Sequence, residues 1–453
     1  MAAVRYTFIL IKTAENVDEI LMRGYNEDTV KNGKYKVTNE LSQIANQPSS
    51  TPFAVDERSE TMKPLISVCC ILNEADSIAK AFADYLEQEF SGRQFEVIIV
   101  DNGLSETARK DLDAREFIVL DGSSSRFDTT RDIYMAHATG EYILIIDADE
   151  RITAEGVAML MHCAKADSQF AGYMLPEFDY TGYGNWAEHY ALRFIKNYIG
   201  IRYDGREMHS SLIMPDGRPV MENSSQIYAP LHHFDCLKSN NMAKRIRNIR
   251  NLNAVLQQNE NDAASIMYLG LEYVALKDYD EAEQLFRQAL DIRPESNYTR
   301  YFYMLMLAEL GRNDEALGLA DYLTGKNKYI YMCRKIHAKI AFAKGDIDKA
   351  YNLLKRDIED NPYNPSAYLS AGAMLDETNP QLAVTLLTRA LMLNPMLNDP
   401  RIYAAADDIT LYRIQNTLLP CVRNVHFHLA KAYSKMDMPE MAEYHSAMQN
   451  ILR

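Results

Sequence analysis

Strand-like and helix-like segments alternate along the chain between residues 65 and 146. Short apolar, β-rich runs predict four strands, and longer stretches between them predict three helices. The predicted strands are 66–72, 95–100, 117–120 and 142–146, and the predicted helices are 75–90, 107–113 and 126–138. This order is typical of a parallel, doubly wound sheet with helices on its faces. The following stretch, up to about Phe234, is rich in Gly and Tyr and is predicted to be irregular.

From about residue 242 the pattern becomes helical and repeats. Small residues recur at one position of a period of 33 to 34 residues: Ala282, Ala316, Ala350 and Ala383. Paired helices need small residues where they touch, and this period is typical of tetratricopeptide repeats. The period breaks between residues 397 and 422, and a final copy follows around Ala442. We therefore expect four or five repeats.

Residues 1–63 contain too little apolar sequence for an independent core. They hold one strand-like run at 6–11 and one helix-like run at 17–22, and end in a polar linker. We therefore expect three regions. These are an N-terminal extension and linker (1–63), a sheet domain (64–240), and a linking helix followed by the repeats (241–453).

Charge and composition restrict the class of protein. The 453 residues include 63 acidic and 48 basic side chains, giving a net charge of -15. This balance disfavours a general binder of nucleic acid or anionic membranes. No apolar run approaches the ~20 residues of a membrane-spanning helix, and the first residues lack the features of a secretory signal. The six cysteines are scattered and are expected to be buried thiols. We expect a cytoplasmic protein with no membrane contact.

Acidic and amide side chains follow three of the predicted strands. They are Asn73 and Glu74, Asp101 and Asn102, and Asp147 and Asp149. The carboxyl ends of parallel strands meet at one edge, where open α/β sheets bind their ligands. Two carboxylates one residue apart can hold a hard divalent cation together with the phosphates of a substrate. The pattern therefore predicts an enzyme that handles a diphosphate.

Residues 64–240 resemble the family 2 glycosyltransferases, which have the GT-A fold. The matching segments are 67–74, 97–105, Arg131 and 140–150. The resemblance implies an α/β GT-A domain, Rossmann-like and nucleotide-sugar-binding, followed by an all-α tetratricopeptide-repeat solenoid. It also implies an inverting hexosyl- or pentosyltransferase that uses a nucleotide-sugar, with a UDP-sugar as the expected donor.

The resemblance assigns roles to single residues. Those expected to bind the nucleotide-sugar are Asn73, Glu74, Asp101, Asn102, Arg131 and Asp147. Arg131 would clamp the diphosphate with its fork of donors. Asp147 and Asp149 would bind Mn²⁺ or Mg²⁺, with Asp149 the first choice as a direct ligand. His233 is expected to complete the metal site, and His232 is the alternative. Two positions depart from the family pattern, Asn102 and Asp132, and neither removes a required charge.

A narrower resemblance concerns the acceptor. Segments 193–196, 203–209 and 231–234 look like a subgroup that joins a family 2 domain to tetratricopeptide repeats. This subgroup includes the sublancin-type peptide S-glycosyltransferases. The acceptor would then be a Ser, Thr or Cys side chain of a peptide or protein, recognised by the solenoid.

The general base that removes the acceptor's proton has four candidates. They are Asp179, which is favoured, and Glu177, Glu207 and His209. The subgroup usually has His-Glu where this chain has His209-Ser210, so the choice stays open.

Three further residues are candidates for contact with the acceptor. Trp186, the one tryptophan, lies beside glycines and could stack on a sugar or acceptor from a loop; packing in the core is the alternative. Lys238 and Arg245 belong to a basic strip (residues 238–250) that could reach the diphosphate or an anionic acceptor. A solvated helix face is the alternative for this strip.

Two rival functions stay open. One is a glycosyltransferase acting on a saccharide or on a hydroxylated DNA base; the acidic balance opposes the DNA acceptor and the basic strip favours it. The other is a non-catalytic tetratricopeptide scaffold, which the intact pair Asp147 and Asp149 argues against. Residues 1–63 leave three roles open: covering the site, extending acceptor recognition, or pairing two copies as a homodimer.

Overall fold

The computed structural model describes residues 63–73, 75–122, 127–166, 168–182, 184–204, 211–234, 241–403 and 425–452. The chain divides into the units Met1–Lys63 and Pro64–Arg453, and the second unit contains the features below. Within it, residues 64–234 are called the sheet region and residues 241–452 the helical array. Several predicted features lie outside the described residues: the runs at 6–11 and 17–22, and Glu74, Glu207, His209 and Lys238.

The first half of the sheet region alternates strand and helix as predicted. Its strands are β1 (Ile66–Leu72), β2 (Phe95–Asp101), β3 (Ile118–Asp121) and β4 (Tyr142–Ile145), and its helices are α1 (Asp76–Glu89), α2 (Glu106–Asp113) and α3 (Phe127–His137). The strands pair in parallel in the order β3–β2–β1–β4. Strand β1 is almost wholly buried because apolar side chains cover both faces of the sheet. The predicted α/β fold class is confirmed.

The second half contains a long antiparallel hairpin where the sequence predicts irregular structure. Its elements are β5 (Glu150–Ile152), α4 (Ala154–Lys165), β6 (Gly172–Gly182), β7 (Asn185–Lys196), β8 (Arg202–Tyr203), β9 (Leu212–Ile213), β10 (Ser224–Gln226) and β11 (Leu231–His233). Within the described residues, nine strands form one sheet, which continues from β4 as β7–β6–β11–β5, with β10 also on β6. The segment that leaves β4 therefore lies close to the hairpin and to β11.

The helical array begins with α5 (Asn241–Gln258) and continues, in the described residues, as five helix pairs. They are α6 (Ala263–Ala275) with α7 (Tyr279–Ile292), α8 (Asn297–Glu309) with α9 (Asn313–Gly325), α10 (Ile330–Ala343) with α11 (Ile347–Asp360), α12 (Pro365–Leu375) with α13 (Pro380–Leu393), and α14 (Val425–Lys435) with α15 (Pro439–Ile451). The four alanines of the repeat are fully buried, as expected for helix contacts. The predicted solenoid is confirmed.

Hydrogen bonds and ring contacts join the array to the sheet region. The Tyr228 hydroxyl donates to the Leu393 carbonyl at 2.6 Å, and the Gly184 amide donates to the Ile402 carbonyl at 2.9 Å. The ring of Tyr228 also stacks on that of Tyr363, with centroids 5.1 Å apart.

Two compositional expectations concern the described residues. Four described cysteines, Cys69, Cys70, Cys163 and Cys333, are buried free thiols, as predicted. In the described part of the chain, no helix combines the length and apolar character needed to cross a membrane.

Candidate active site

Five carboxylates, two histidines and one arginine meet where β4 ends. This acidic cluster consists of Asp147, Asp149, Glu150, Glu177, Asp179, His189, Arg193 and His233. Strand register explains the meeting, because His233 on β11 lies opposite both Glu150 on β5 and Asp179 on β6. Residues two apart on a strand share a face, so Glu177 lies on the same side as Asp179.

His233 lies between two carboxylates. Its Nδ1 is 2.5 Å from Asp179 Oδ1, and its Nε2 is 3.6 Å from Asp149 Oδ1. Burial favours the neutral imidazole, but the interactions with the Asp149 and Asp179 carboxylates raise the pKa of His233 to about 12. Asp179 therefore fixes the ring orientation and leaves Nε2 directed towards Asp149.

Two histidines contact the Asp179 carboxylate. Besides His233, it faces His189, whose Nδ1 is 3.3 Å from Asp179 Oδ2. The Asp179 side chain is 4% exposed, whereas that of His189 is 49% exposed. Burial alone would raise the pKa of Asp179, but its interactions with His189 and His233 bring this pKa below its usual range.

Arg193 on β7 joins three carboxylates. Its guanidinium contacts Glu150, and lies 3.3 Å from Asp147 Oδ2 and 3.2 Å from Glu177 Oε2. Burial opposes the charge, but these carboxylates raise the pKa of Arg193 well above its usual value. Glu150 is fully buried, and its Oε2 accepts the backbone N–H of Asp147 at 2.8 Å. This arrangement fixes the backbone at the start of the Asp147-Ala148-Asp149 segment.

Two positions in the cluster could accept a divalent cation. Ligand atoms of Glu177, Asp179 and His233 all lie within 4.8 Å of one another. Asp149 Oδ1 and His233 Nε2 form the second position, and their side chains are 17% and 21% exposed. The first position is nearly closed to solvent, and its Glu177 is already paired with Arg193. The second fits a cation that must also meet a diphosphate, because oxygen and imidazole nitrogen are suitable ligands and the site is open.

The structure brings only part of the predicted nucleotide site together. Asn73 is exposed at the end of β1, and Asn102 is half-buried after β2. Asp101 accepts the N–H groups of Gly103 and Leu104 at 3.0 and 2.8 Å, so one of its oxygens closes the turn after β2. Its other oxygen lies 3.2 Å from Arg109 Nη1. The nucleotide roles of these residues stay predictions.

Arg131 lies on α3 with its guanidinium over the ring of Tyr203, 5.3 Å from the centroid. Burial raises the pKa of Tyr203, and the charges of Arg131, Arg193 and Asp147 also act on it. Arg131 is therefore in the electrostatic neighbourhood of the acidic cluster. Its role as a diphosphate clamp stays a prediction.

His232 faces away from the cluster, unlike its neighbour His233. Its Nδ1 is 2.8 Å from the Tyr180 hydroxyl, and burial lowers its pKa to about 3. Adjacent strand residues point to opposite faces, which explains the difference. His233 is therefore the one of the two histidines that reaches Asp149.

Two of the expected acceptor contacts look different in the structure. Trp186 is buried at 4% exposure within β7, opposite Tyr180, rather than on a loop. Arg245 Nη1 lies 3.0 Å from Glu272 Oε2, an ion pair inside the array. Both residues therefore make contacts within the fold, and their acceptor-binding role stays a prediction.

The sequence-based prediction missed three residues of the acidic cluster: Glu150, His189 and Arg193. Glu150 directly follows Asp149, and Arg193 begins one of the segments that carry the subgroup resemblance, so both had a weak signal. The partners of Arg193 lie 16 to 46 residues away along the chain. Such pairings depend on strand register, which the local pattern does not determine.

The sheet region matches a known family. Residues 68–214 match Glycosyl transferase family 2. Within the array, residues 263–296 match the tetratricopeptide repeat family. The first match indicates a glycosyltransferase domain that uses a nucleotide-sugar, and the second indicates a helical array suited to protein interaction. No curated protein matches the chain.

Solved structures similar to the chain include tetratricopeptide proteins. PilW, a type IV pilus biogenesis factor, is 17% identical over 47% of this chain and 94% of PilW, with a TM-score of 0.36. YrrB, described as having an unusual peptide-binding site, is 11% identical over 45% of this chain and 92% of YrrB, with a TM-score of 0.32. A thermophilic tetratricopeptide protein of Thermus thermophilus, TTC0263, is 22% identical over 41% of this chain and 88% of its own, with a TM-score of 0.29.

Proposed function

We propose that this protein is a metal-dependent, inverting glycosyltransferase that moves a sugar from a UDP-sugar to a peptide or protein. The proposal rests on one observation. Asp149, which lies in a segment similar to family 2 glycosyl transferases, faces His233 on β11 at 3.6 Å, close to the end of β4. This is the edge of a parallel sheet at which a nucleotide ligand is expected.

Asp149 and His233 would hold Mn²⁺ or Mg²⁺. A bound cation supplies Lewis-acid stabilisation of the charge that develops on the departing diphosphate. The chain's own contribution is orientation: Asp179 accepts the Nδ1 proton of His233 and thereby directs Nε2 towards the cation. Asp147, fixed by Arg193, would contact the ribose or a water on the cation.

This assignment gives Asp179 a supporting role in place of the favoured role as general base. A base must reach the acceptor, yet Asp179 is 4% exposed and its pKa is lowered by the two histidines. Glu177 is similarly enclosed and pairs with Arg193. Glu207 and His209, outside the described residues, remain candidates for the base.

The helical array would recognise the acceptor. Solenoids offer an extended surface that suits a polypeptide, and the sequence resembles the sublancin-type peptide S-glycosyltransferases. A Ser, Thr or Cys side chain is therefore the proposed acceptor. Pairing of Arg245 with Glu272 removes one cation from the basic strip and weakens the case for a DNA acceptor.

The proposal is tested by incubating the full chain with a panel of nucleotide-sugars, Mn²⁺ and peptides carrying Ser, Thr or Cys. Intact-mass analysis should show the increment of one hexose or pentose, and Asp149→Ala should abolish it. Increments on a hydroxymethylated DNA oligonucleotide or a saccharide alone would refute the peptide acceptor. If no nucleotide-sugar is transferred or hydrolysed in any combination, the protein is not a transferase and the scaffold alternative is favoured.

A further inference from the structure

The helical array contacts β6 and β11 on the face opposite the acidic cluster. Tyr180, on β6, is fully buried, and its hydroxyl donates to Asn394 Oδ1 at 2.9 Å. The same hydroxyl is 2.8 Å from His232 Nδ1 on β11. Asn394 is also fully buried and lies just after α13. One amide of the array therefore contacts, through Tyr180, both β6 and β11, the strands that carry Asp179 and His233.

Donor and acceptor roles in this chain of contacts follow from the chemistry of each group. The Asn394 carbonyl oxygen only accepts, so the Tyr180 O–H points towards Asn394. The Tyr180 oxygen then accepts a hydrogen bond from the Nδ1–H group of the neutral His232 ring. His232 Nε2 is buried and has no hydrogen-bond partner among the described residues. Tyr180 is therefore the polar contact that orients the His232 ring.

The opposite faces of these strands carry the cluster. Asp179 precedes Tyr180, and His233 follows His232. Because neighbouring strand residues point to opposite faces, Tyr180 and His232 face the array, whereas Asp179 and His233 face the site. Asp179 and His233 are the two groups joined at 2.5 Å. A shift of β6 would displace Asp179, and a shift of β11 would displace His233, so either would change the distance between them.

Other contacts between the array and the sheet region also involve residues 393–402. Arg401 lies over the ring of Phe234, 4.7 Å from its centroid, and Phe234 directly follows β11. The tip of the β6–β7 hairpin reaches Ile402, and Tyr228 reaches Leu393. Two 3₁₀ turns, Pro395–Asn398 and Pro400–Tyr403, lie in or overlap residues 393–402, close to the point where the repeat period breaks.

We propose that residues 393–402 are a built part of the active site, with Asn394 as a positioning residue that acts through Tyr180 and His232. The array then has a second task besides acceptor recognition: it holds β6 and β11 so that Asp179 and His233 stay in register. The catalytic half would lose its site geometry without residues 393–402. This inference rests on the proposed function for its catalytic consequence, whereas the mechanical part is measurable without turnover.

The test compares Asn394→Ala and Tyr180→Phe with Asn379→Ala, all in the full chain. Asn379 lies at the other end of α13, where its side chain accepts the Leu382 N–H. Asn394 similarly accepts the Met396 N–H, so Asn379→Ala controls for loss of an asparagine cap next to the same helix. Hydrogen exchange is measured in peptides covering β6 and β11. Loss of a buried hydrogen bond predicts exchange about tenfold faster in both test variants and unchanged in the control.

Kinetics add a readout that general destabilisation does not produce. Misplaced groups predict a kcat lower by about tenfold to a hundredfold, with the KM for the nucleotide-sugar unchanged and more Mn²⁺ needed for half-maximal rate. Unchanged exchange in β6 and β11 would overturn the inference, as would equal losses in Asn379→Ala. Tyr180→Phe decides the question if Asn394→Ala does not fold. If the wild type shows no turnover, the proposed function fails, and exchange alone still decides whether Asn394 holds these strands.

Discussion

Asp179→Asn separates two roles for one buried carboxylate. In the structure, Asp179 accepts from His233 Nδ1 at 2.5 Å, with the Asp179 side chain 4% exposed, so water has little room to replace it. If Asp179 orients a metal-binding imidazole, its loss weakens metal affinity by about 10- to 100-fold. That range corresponds to about 1.4 to 2.7 kcal/mol of binding free energy. Activity should then return when Mn²⁺ is raised in proportion.

The assay is initial rate against Mn²⁺ concentration at saturating nucleotide-sugar, together with direct Mn²⁺ titration. Asp376→Asn is a matched control, because Asp376 also bonds a buried histidine, His428 Nδ1 at 2.7 Å, within the helical array. It should leave Mn²⁺ dependence unchanged. A general base removed by Asp179→Asn would instead lower kcat by about 10²- to 10⁴-fold, with metal affinity intact and no rescue by Mn²⁺. That result would refute the orienting role.

Three further predictions concern stability and pH. Arg193→Met should destabilise the fold by about 3–5 kcal/mol in urea unfolding, because it leaves buried carboxylates unpaired; a loss near zero would contradict the role of Arg193. Gly372→Ala should destabilise by about 1–3 kcal/mol, since its Cβ would be 2.6 Å from Leu387 Cγ. Gly318→Ala, where a Cβ meets nothing within 4 Å, should instead stabilise its helix by about 0.5–1 kcal/mol, and equal effects would refute this packing argument. With a pKa of about 12, His233 must release a proton to bind a metal, so Mn²⁺ affinity should rise about tenfold per pH unit from about pH 6 to about pH 8; a flat profile would exclude His233 as a ligand.

Local patterns were sufficient for much of the fold. The predicted strand at 66–72 coincides with β1, and the other predicted elements of the parallel half end within two residues of the observed ones. The alanines of the repeat are buried because their spacing directly reflects how helix pairs touch. Apolar periodicity reports burial of a face, and in these elements burial decides the conformation.

The second half of the sheet region was predicted less well. Strand β7 alternates imperfectly, and Glu188, His189 and Arg193 interrupt its apolar pattern, so it reads as irregular sequence. These polar side chains are stabilised by partners on other strands, including the pairing of Arg193 with Glu150, 43 residues away. A local sequence pattern does not identify partners that are this far away along the chain. The Asp147-Ala148-Asp149 segment follows β4, as the strand pattern predicts, but Arg193, which pairs with Asp147, is 46 residues away along the chain.

The most direct test is to measure Mn²⁺ binding to the full chain in the presence of UDP, with electron paramagnetic resonance as the readout. Wild-type protein should hold one Mn²⁺ tightly when UDP is present, because Asp149, His233 and the diphosphate together supply its ligands. Asp149→Ala should lose this bound signal while Asp376→Asn keeps it. Equal Mn²⁺ binding by wild type and Asp149→Ala, or no UDP-dependent binding in the wild type, would contradict a nucleotide-sugar site at the end of β4.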